Sequence, residues 1–421
     1  MSSKLSAKMQ SRTDNCQPVR YGTPEYRQVI EDIGRSAAES KLEGVNPHAA
    51  IDIVRQSRLG ALRVPQAQGG GGCSIRELFA ALIDLAEADP DIPHILRAHF
   101  WFVEELMRLT NSADRDRWLE RIVAGDIFGN AVTEIGGSAA VGAFVLQTQL
   151  TPKGDGYVLN GTKYYCTGSL YSDWVRVIAS NPEGELASAV IPTDRDGVDM
   201  KDDWDGIGQR LTGSGTINFD DAIVSADELL QATLMTEVDG ESPQIPTEPY
   251  LLGQLCQLIL TAIIVGVLRS ILNDAVQLVR KRERTYSHGS AETAAADPLL
   301  LDVIGRIASS AIAAEAVVMA AADAQDEALA TLVNGVTDFD LTHRGSLLAA
   351  QAKVMIDEIA PRAATMLFDV GGSSAIKQSA DLDRHWRNIR TLSSHNPTPY
   401  KSRAIADYIV NGEYLPQNSF F

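Results

Sequence analysis

The sequence predicts an α+β, mostly α fold, and three observations carry that expectation. Apolar residues recur at i, i+3, i+4 spacing over Pro24–Glu43, His48–Ser57, Ile75–Ala88 and Pro93–Leu109, the period of helices with one buried face. Between about residues 130 and 230 the pattern changes to short β-forming runs separated by Gly, Pro, Asn and Asp. Beyond Pro249 come long alanine-rich stretches with few breaks, the pattern of a four-helix bundle. The expected organisation is an N-terminal helical domain (1–128), a central small antiparallel β-barrel or sandwich (129–235) and a C-terminal helical bundle (236–421).

The elements follow in order. Gly69–Gly72 lies between two predicted helices; it lacks the GxxxxGK[ST] phosphate-loop pattern and reads as a flexible connector. Tyr157–Leu159 and Thr162–Cys166 flank Asn160-Gly161, a two-residue hairpin signal. Trp174–Ala179, Ala187–Ile191 and Thr216–Phe219 continue as short strands. In the last third, Pro249–Arg284 and Pro298–Val333 read as long helices, the second with proline at its first turn. Asp338–Val370 is a third, with Pro361 expected to kink it and Gly371-Gly372 to stop it. A further helix is expected from about Pro399 to Val410, and Ser287–Asp297 is a small, polar connector.

Composition narrows the function. The chain has 421 residues, 45% hydrophobic and 22% charged, enough to bury a large core. A net charge of -18 repels phosphate backbones, so nucleic-acid binding is not expected. Cys16, Cys73, Cys166 and Cys256 form no CxxC pair, which argues for reduced thiols and against a zinc site. The first twenty residues have no apolar stretch of a signal peptide, and the greasiest run, Ile259–Leu268, is short and closed by Arg269. A cytoplasmic protein without a membrane span is expected.

Five local strings give the chain a resemblance. They are Asn130-Ala-Val-Thr133-Glu134 followed by Gly136-Gly137-Ser138; Leu159-Asn-Gly-Thr-Lys-Tyr-Tyr165-Cys-Thr167-Gly-Ser169; Gly206-Ile-Gly-Gln-Arg-Leu-Thr-Gly-Ser214-Gly-Thr216; Arg280-Lys-Arg282-Glu-Arg284-Thr-Tyr286; and Asp383 through Ser394, His395 and Pro397. In this order, across helical, β and helical regions, they resemble the acyl-CoA dehydrogenase superfamily, and most closely its flavin-dependent monooxygenases of the dibenzothiophene monooxygenase type. Ile135 stands where the family's first string has proline, and Tyr165 where the second has tryptophan.

The resemblance implies a flavin site. Asn130, Thr133, Tyr165, Thr167, Ser214 and Ser394 would contact the ring, Thr167 at N5. Arg282 or Arg284, with Gly371 and Gly372, would hold the phosphate end of the cofactor in a neighbouring subunit; a bidentate arginine suits that task. The cofactor is reduced flavin, FMN or FAD. No GxGxxG follows a strand, so a separate NAD(P)H flavin reductase would supply it. The resemblance also implies a homotetramer.

Dehydrogenation of an acyl-CoA needs a carboxylate to remove the α-proton. Thr391–Tyr400 holds no acid where the family places one, and neither does Gln254–Leu258, where some relatives carry it. The resemblance therefore implies oxygenation, through a flavin C4a-hydroperoxide, of a small apolar substrate at sulfur or nitrogen. His395 would activate oxygen, with His99 second and Ser169 hydrogen-bonding; histidine titrates near neutrality, and no metal is implied. His94 falls elsewhere on the same helix, while Phe100, Trp101 and Phe102 line a pocket or pack the core. Two alternatives remain: a dehydrogenase whose base is displaced to Glu134 or Glu248, and a flavin-free binding protein.

Overall fold

The computed structural model describes residues 17–109, 113–135, 146–230, 248–283, 287–333 and 336–417. Helices α1 (Pro24–Glu43) and α2 (His48–Ser57) open the chain, and Thr23 caps the first by accepting the N–H of Tyr26. Next come α3 (Ile75–Ala88), α4 (Asp91–Ile95), α5 (Arg97–Arg108) and α6 (Ala113–Val123). The segment expected as one helix from Pro93 is thus broken at Leu96, whose backbone belongs to neither α4 nor α5.

Eight strands form one sheet: β1 (Phe128–Ala131), β2 (Gln149–Lys153), β3 (Gly156–Lys163), β4 (Trp174–Ser180), β5 (Leu186–Pro192), β6 (Val198–Met200), β7 (Ile217–Ser225) and β8 (Leu229–Leu230). They run in the order β6-β7-β3-β2-β4-β5-β8, with β1 beside β4. The sheet is mixed rather than purely antiparallel: β1 pairs with β4 in parallel over Phe128–Ala131. Asn160-Gly161 is not a hairpin turn. Both residues lie inside β3, where the register against β7 shifts between Leu159 and Gly161, and the chain reverses earlier, between Lys153 and Gly156. Gly161 sits at φ 147°, and a Cβ there would lie 2.6 Å from the Thr148 Cα.

The remaining helices are α7 (Glu248–Arg280), α8 (Pro298–Leu329), α9 (Phe339–Gly371), α10 (Asp383–Ser393) and α11 (Thr398–Asn411). Helix α9 continues past Pro361 and ends at Gly372, φ 58°. Helix α7 matches the long apolar helix expected over Pro249–Arg284, ending four residues earlier. It is long and apolar enough to cross a membrane, but 94% of its apolar window is buried inside the protein.

By contacts the chain forms two compact units: Met1–Ser74, His94–Asp205 and Arg210–Pro246; and Ile75–Pro93, Gly206–Gln209 and Thr247–Phe421. Helix α3 therefore packs with the C-terminal bundle. Gly266 of α7 lets it approach, since a Cβ there would fall 2.4 Å from the Ala86 Cβ and 2.6 Å from the Ile83 carbonyl. In the first unit, Gly69–Gly72 is a tight knot, not a loose connector. The N–H groups of Gly70, Gly71 and Gly72 donate to the carbonyls of Pro65, Ala61 and Val64, which leaves none of the three for a phosphate.

A Gly266→Leu variant should overpack the α3–α7 contact and lose about 1–3 kcal/mol; an unchanged denaturant midpoint would contradict this packing.

Candidate functional site

In the first unit, the loop after β3 carries most of the predicted ring contacts. It is cross-stitched to the segment before β7. Cys166 N–H donates to the Gly215 carbonyl and Gly168 N–H to the Thr212 carbonyl, both at 3.0 Å. The Tyr171 hydroxyl donates to the Leu211 carbonyl at 2.7 Å. Glycine is required here: a Cβ on Gly168 (φ 81°) would sit 2.2 Å from the Ile95 carbonyl, and one on Gly215 would sit 2.0 Å from that of Lys201.

This stitching brings Thr167 and Ser214 together. Their hydroxyls are 2.8 Å apart, and Ser214 is 2.7 Å from the buried Thr212 hydroxyl. Three hydroxyls share two hydrogen bonds, so the chain can point either way. Thr167, its half-buried end, can then offer a donor or an acceptor. A flavin ring nitrogen that accepts when oxidised and donates when reduced fits such a group. Tyr165 precedes it in the left-handed region (φ 56°), a strained conformation for a bulky residue, and its 58%-exposed side chain meets the edge of Trp204. The Thr133 carbonyl accepts the Tyr164 N–H at 2.9 Å, tying the exposed Thr133 to the same loop.

Ser169 is tied into the structure. It is buried, and its hydroxyl donates to the Asn130 carbonyl at 3.0 Å, fastening β1 to the loop. The half-buried Asn130 thereby stands beside the loop. A Cβ on Gly129 would fall 2.5 Å from the Ser169 Oγ, so β1 can approach only without one.

His99 is held in the core. It is 0% exposed; its Nε2–H donates to the Gly60 carbonyl at 3.0 Å and its Nδ1 accepts the Phe128 N–H at 3.2 Å. Both nitrogens are committed to backbone, and burial lowers its pKa to about 4. Phe100 and Phe102 are likewise fully packed, Phe102 against Phe128, Trp118 and Trp174, so neither lines an open pocket. His94, buried at the end of α4, adjoins Ile95, whose carbonyl abuts Gly168; the sequence reading passed over it.

Glu134, the displaced base of the dehydrogenase alternative, is occupied. Its carboxylate takes the Lys163 ammonium at 2.7 Å and the N–H groups of Gln147 and Thr148 at 2.6 and 3.0 Å. Burial pushes its pKa up, but these donors, led by Lys163, outweigh it and hold the group below the usual carboxylate range. Glu248 has no described side chain, and Gly136–Ser138 and Arg284 lie outside the described residues.

In the second unit, Arg282 donates to the Val370 carbonyl, so it meets the end of α9 where Gly371 and Gly372 stand. A Cβ on Gly371 would fall 2.3 Å from the Ala375 Cβ. Ser394 is exposed and turns its hydroxyl back to the Arg390 carbonyl at 2.7 Å. His395 follows, exposed, its N–H on the Leu392 carbonyl at 3.3 Å. Gly206–Gln209 docks on α10: a Cβ on Gly208 would lie 2.3 Å from the Arg387 carbonyl, and Gln209 N–H donates to the Asn388 side chain at 2.8 Å.

Family models match along the chain: acyl-CoA dehydrogenase N-terminal domain over residues 23–126, middle domain over 129–222 and C-terminal domain over 258–399. The chain belongs to the acyl-CoA dehydrogenase family. Among family relatives, it is 29% identical over 416 residues to a probable FMNH2-dependent monooxygenase, SfnC, of Pseudomonas putida, covering 96% of this chain and 98% of that one. It is 28% identical over 405 residues to a dibenzothiophene monooxygenase of Rhodococcus erythropolis, covering 92% and 93%. Among solved structures it resembles methanesulfinate monooxygenase MsuC of Pseudomonas fluorescens, with TM-score 0.83, 26% identity and 95% and 100% coverage. FMN-bound TdsC of Paenibacillus sp. A11-2 gives 0.82, 26%, 94% and 100%.

The depressed pKa of His99 makes stability pH-dependent. The unfolded chain takes up this proton below pH 6.5 and the folded chain only near pH 4, so the contribution is present above 6.5 and lost as pH falls to about 4. That is about 3 kcal/mol. Urea titrations should show wild type losing that much more than His99→Gln on acidification; parallel losses would contradict the assignment.

Proposed function

We propose that this chain is a two-component flavin-dependent monooxygenase that uses reduced FMN and O2 to oxygenate a small apolar substrate at sulfur or nitrogen. The observation that carries the reading is the state of Glu134: the acid offered as a displaced base is held below the usual carboxylate range, paired with Lys163 and hydrogen-bonded to backbone, which leaves it ill suited to take an α-proton. The kinship with enzymes called FMNH2-dependent monooxygenase and dibenzothiophene monooxygenase, and with FMN-bound TdsC, supports oxygenation over dehydrogenation.

The donor set fits FMN. Bound reduced FMN supplies the electrons that activate O2. The chain's residues do the rest. Thr167, backed by Ser214 and Thr212, holds the ring edge through a hydroxyl that reverses direction without moving. Tyr165 and Asn130 border the ring, with Thr133 behind them; Ser169 acts by holding β1 in place. Arg282 or Arg284, with Gly371 and Gly372, receives the phosphate end of a flavin held by a neighbouring subunit, and Ser394 borders a flavin ring. His395 holds and returns a proton at an imidazole nitrogen.

A separate NAD(P)H reductase supplies the flavin in the cytoplasm. The enzyme is a homotetramer that covers α8. That helix is long and apolar, yet only 22% of its apolar window is buried within the chain, and Leu299 and Ile312 are 69% and 66% exposed.

With FMN, a reductase and dibenzothiophene, indole or methanesulfinate as probes, wild type should form oxygenated product. His395→Ala should cut product by about 10²–10⁴-fold while still consuming O2 to hydrogen peroxide. Reduction of bound FMN by an acyl-CoA would overturn the reading. The paired variant Leu299→Glu with Ile312→Glu should sediment as species smaller than a tetramer; an unchanged tetramer would reject α8 as the interface.

A further inference from the structure

Beneath the turn that carries His395 lies a buried polar cluster that none of the expected site contacts uses. Lys353, on α9, is 6% exposed, so its ammonium must be paired. Its Nζ donates to the Asp357 Oδ2 at 2.7 Å, one helical turn on, and to the Ser393 carbonyl at 3.0 Å. Ser393 ends α10, where the last carbonyls lack helical partners and a cation is favoured. The same Asp357 Oδ2 accepts the Thr398 hydroxyl at 2.6 Å, and Thr398 begins α11.

One carboxylate oxygen thus gathers both ends of the connection Ser394-His395-Asn396-Pro397. Its N-terminal end is held through Lys353 and its C-terminal end directly. Lys401 of α11 is 2% exposed in the same cluster, and burial, then repulsion from Lys353, lowers its pKa to about 8. The Ser393 carbonyl gives the buried Lys353 ammonium a second acceptor beside Asp357. Inside the turn, the N–H groups of Ser394 and His395 return to Arg390 and Leu392, so the backbone before Asn396 has little freedom once Ser393 is fixed.

We infer that Lys353, Asp357 and Thr398 form a buried latch that sets the position of His395, Lys353 and Asp357 being positioning residues for the oxygenation. This rests on the role proposed for His395, but the latch can be tested without it. Histidine ring ¹⁵N spectra of the full chain, with the His395 signal assigned by its loss in His395→Gln, report the position directly. In Lys353→Met the His395 signal should shift and broaden while those of His99, His343 and His385 stay in place. Thr398→Val, a milder change, should move it in the same direction by less, and Lys353→Arg, which keeps a charged donor, should restore it in part. Product formation in Lys353→Met should fall by up to about 10²-fold, the cost of a misplaced reacting group, with FMN affinity unchanged. A His395 signal identical to wild type in both Lys353→Met and Thr398→Val overturns the latch. A displaced signal in a chain whose wild type makes no product would sustain the latch and reject the oxygenase.

Discussion

The fit between the loop after β3 and the segment before β7 is the constraint on which the ring-contact region depends. Hydrogen bonds from Cys166, Gly168 and the Tyr171 hydroxyl hold the two stretches together, and only then do Thr167, Ser214 and Thr212 share protons. The approach leaves no room for side chains at Gly168 or Gly215. Tyr165 is drawn into the left-handed region by the same geometry, strain that the surrounding bonds sustain. Ser169 extends the arrangement to β1, and His99 fastens β1 in turn to Gly60 through its two ring nitrogens. Several residues that look chemical in the sequence, Ser169 and His99 among them, hold the backbone of this region in place.

The family's fold serves two chemistries that differ in what happens to a proton. A dehydrogenase needs a carboxylate able to take one. Here Glu134, the acid to which that base might have been displaced, is a structural anion bound by Lys163 and two backbone N–H groups. Where the acid would follow the last string stand Ser394 and His395, on a turn braced from below by a buried lysine. Imidazole can return a proton near neutral pH, which suits oxygen chemistry better than α-proton removal.

Much of this was legible in the sequence. The helical spans announce themselves by period and, for the helix from Pro298, by a proline at the first turn, and the string from Leu159 to Ser169 marks the loop that carries Thr167. The failures have physical causes. Asn160-Gly161 carries a turn's residues but serves a register shift, because Gly161 must pass close to Thr148. Gly69–Gly72 looks loose, yet its amides are consumed by carbonyls near Pro65 that spacing does not reveal. His99 is on apolar helical sequence that could serve a site or a core; only its Gly60 and Phe128 partners show how it is held. Nothing in the sequence singles out Lys353 and Asp357: an i,i+4 Lys–Asp spacing carries no sign of burial, which only the fold shows.

The central claim is that this fold, here, directs reduced flavin toward oxygen rather than taking hydride from a thioester. The most direct measurement mixes the chain anaerobically with reduced FMN and then with O2 in a stopped-flow cell. The account predicts a transient absorbance distinct from both reduced and oxidised FMN, longer-lived with the protein than without it and shortened in His395→Ala. Immediate reoxidation with no transient, together with bleaching of oxidised FMN by an acyl-CoA, would contradict it.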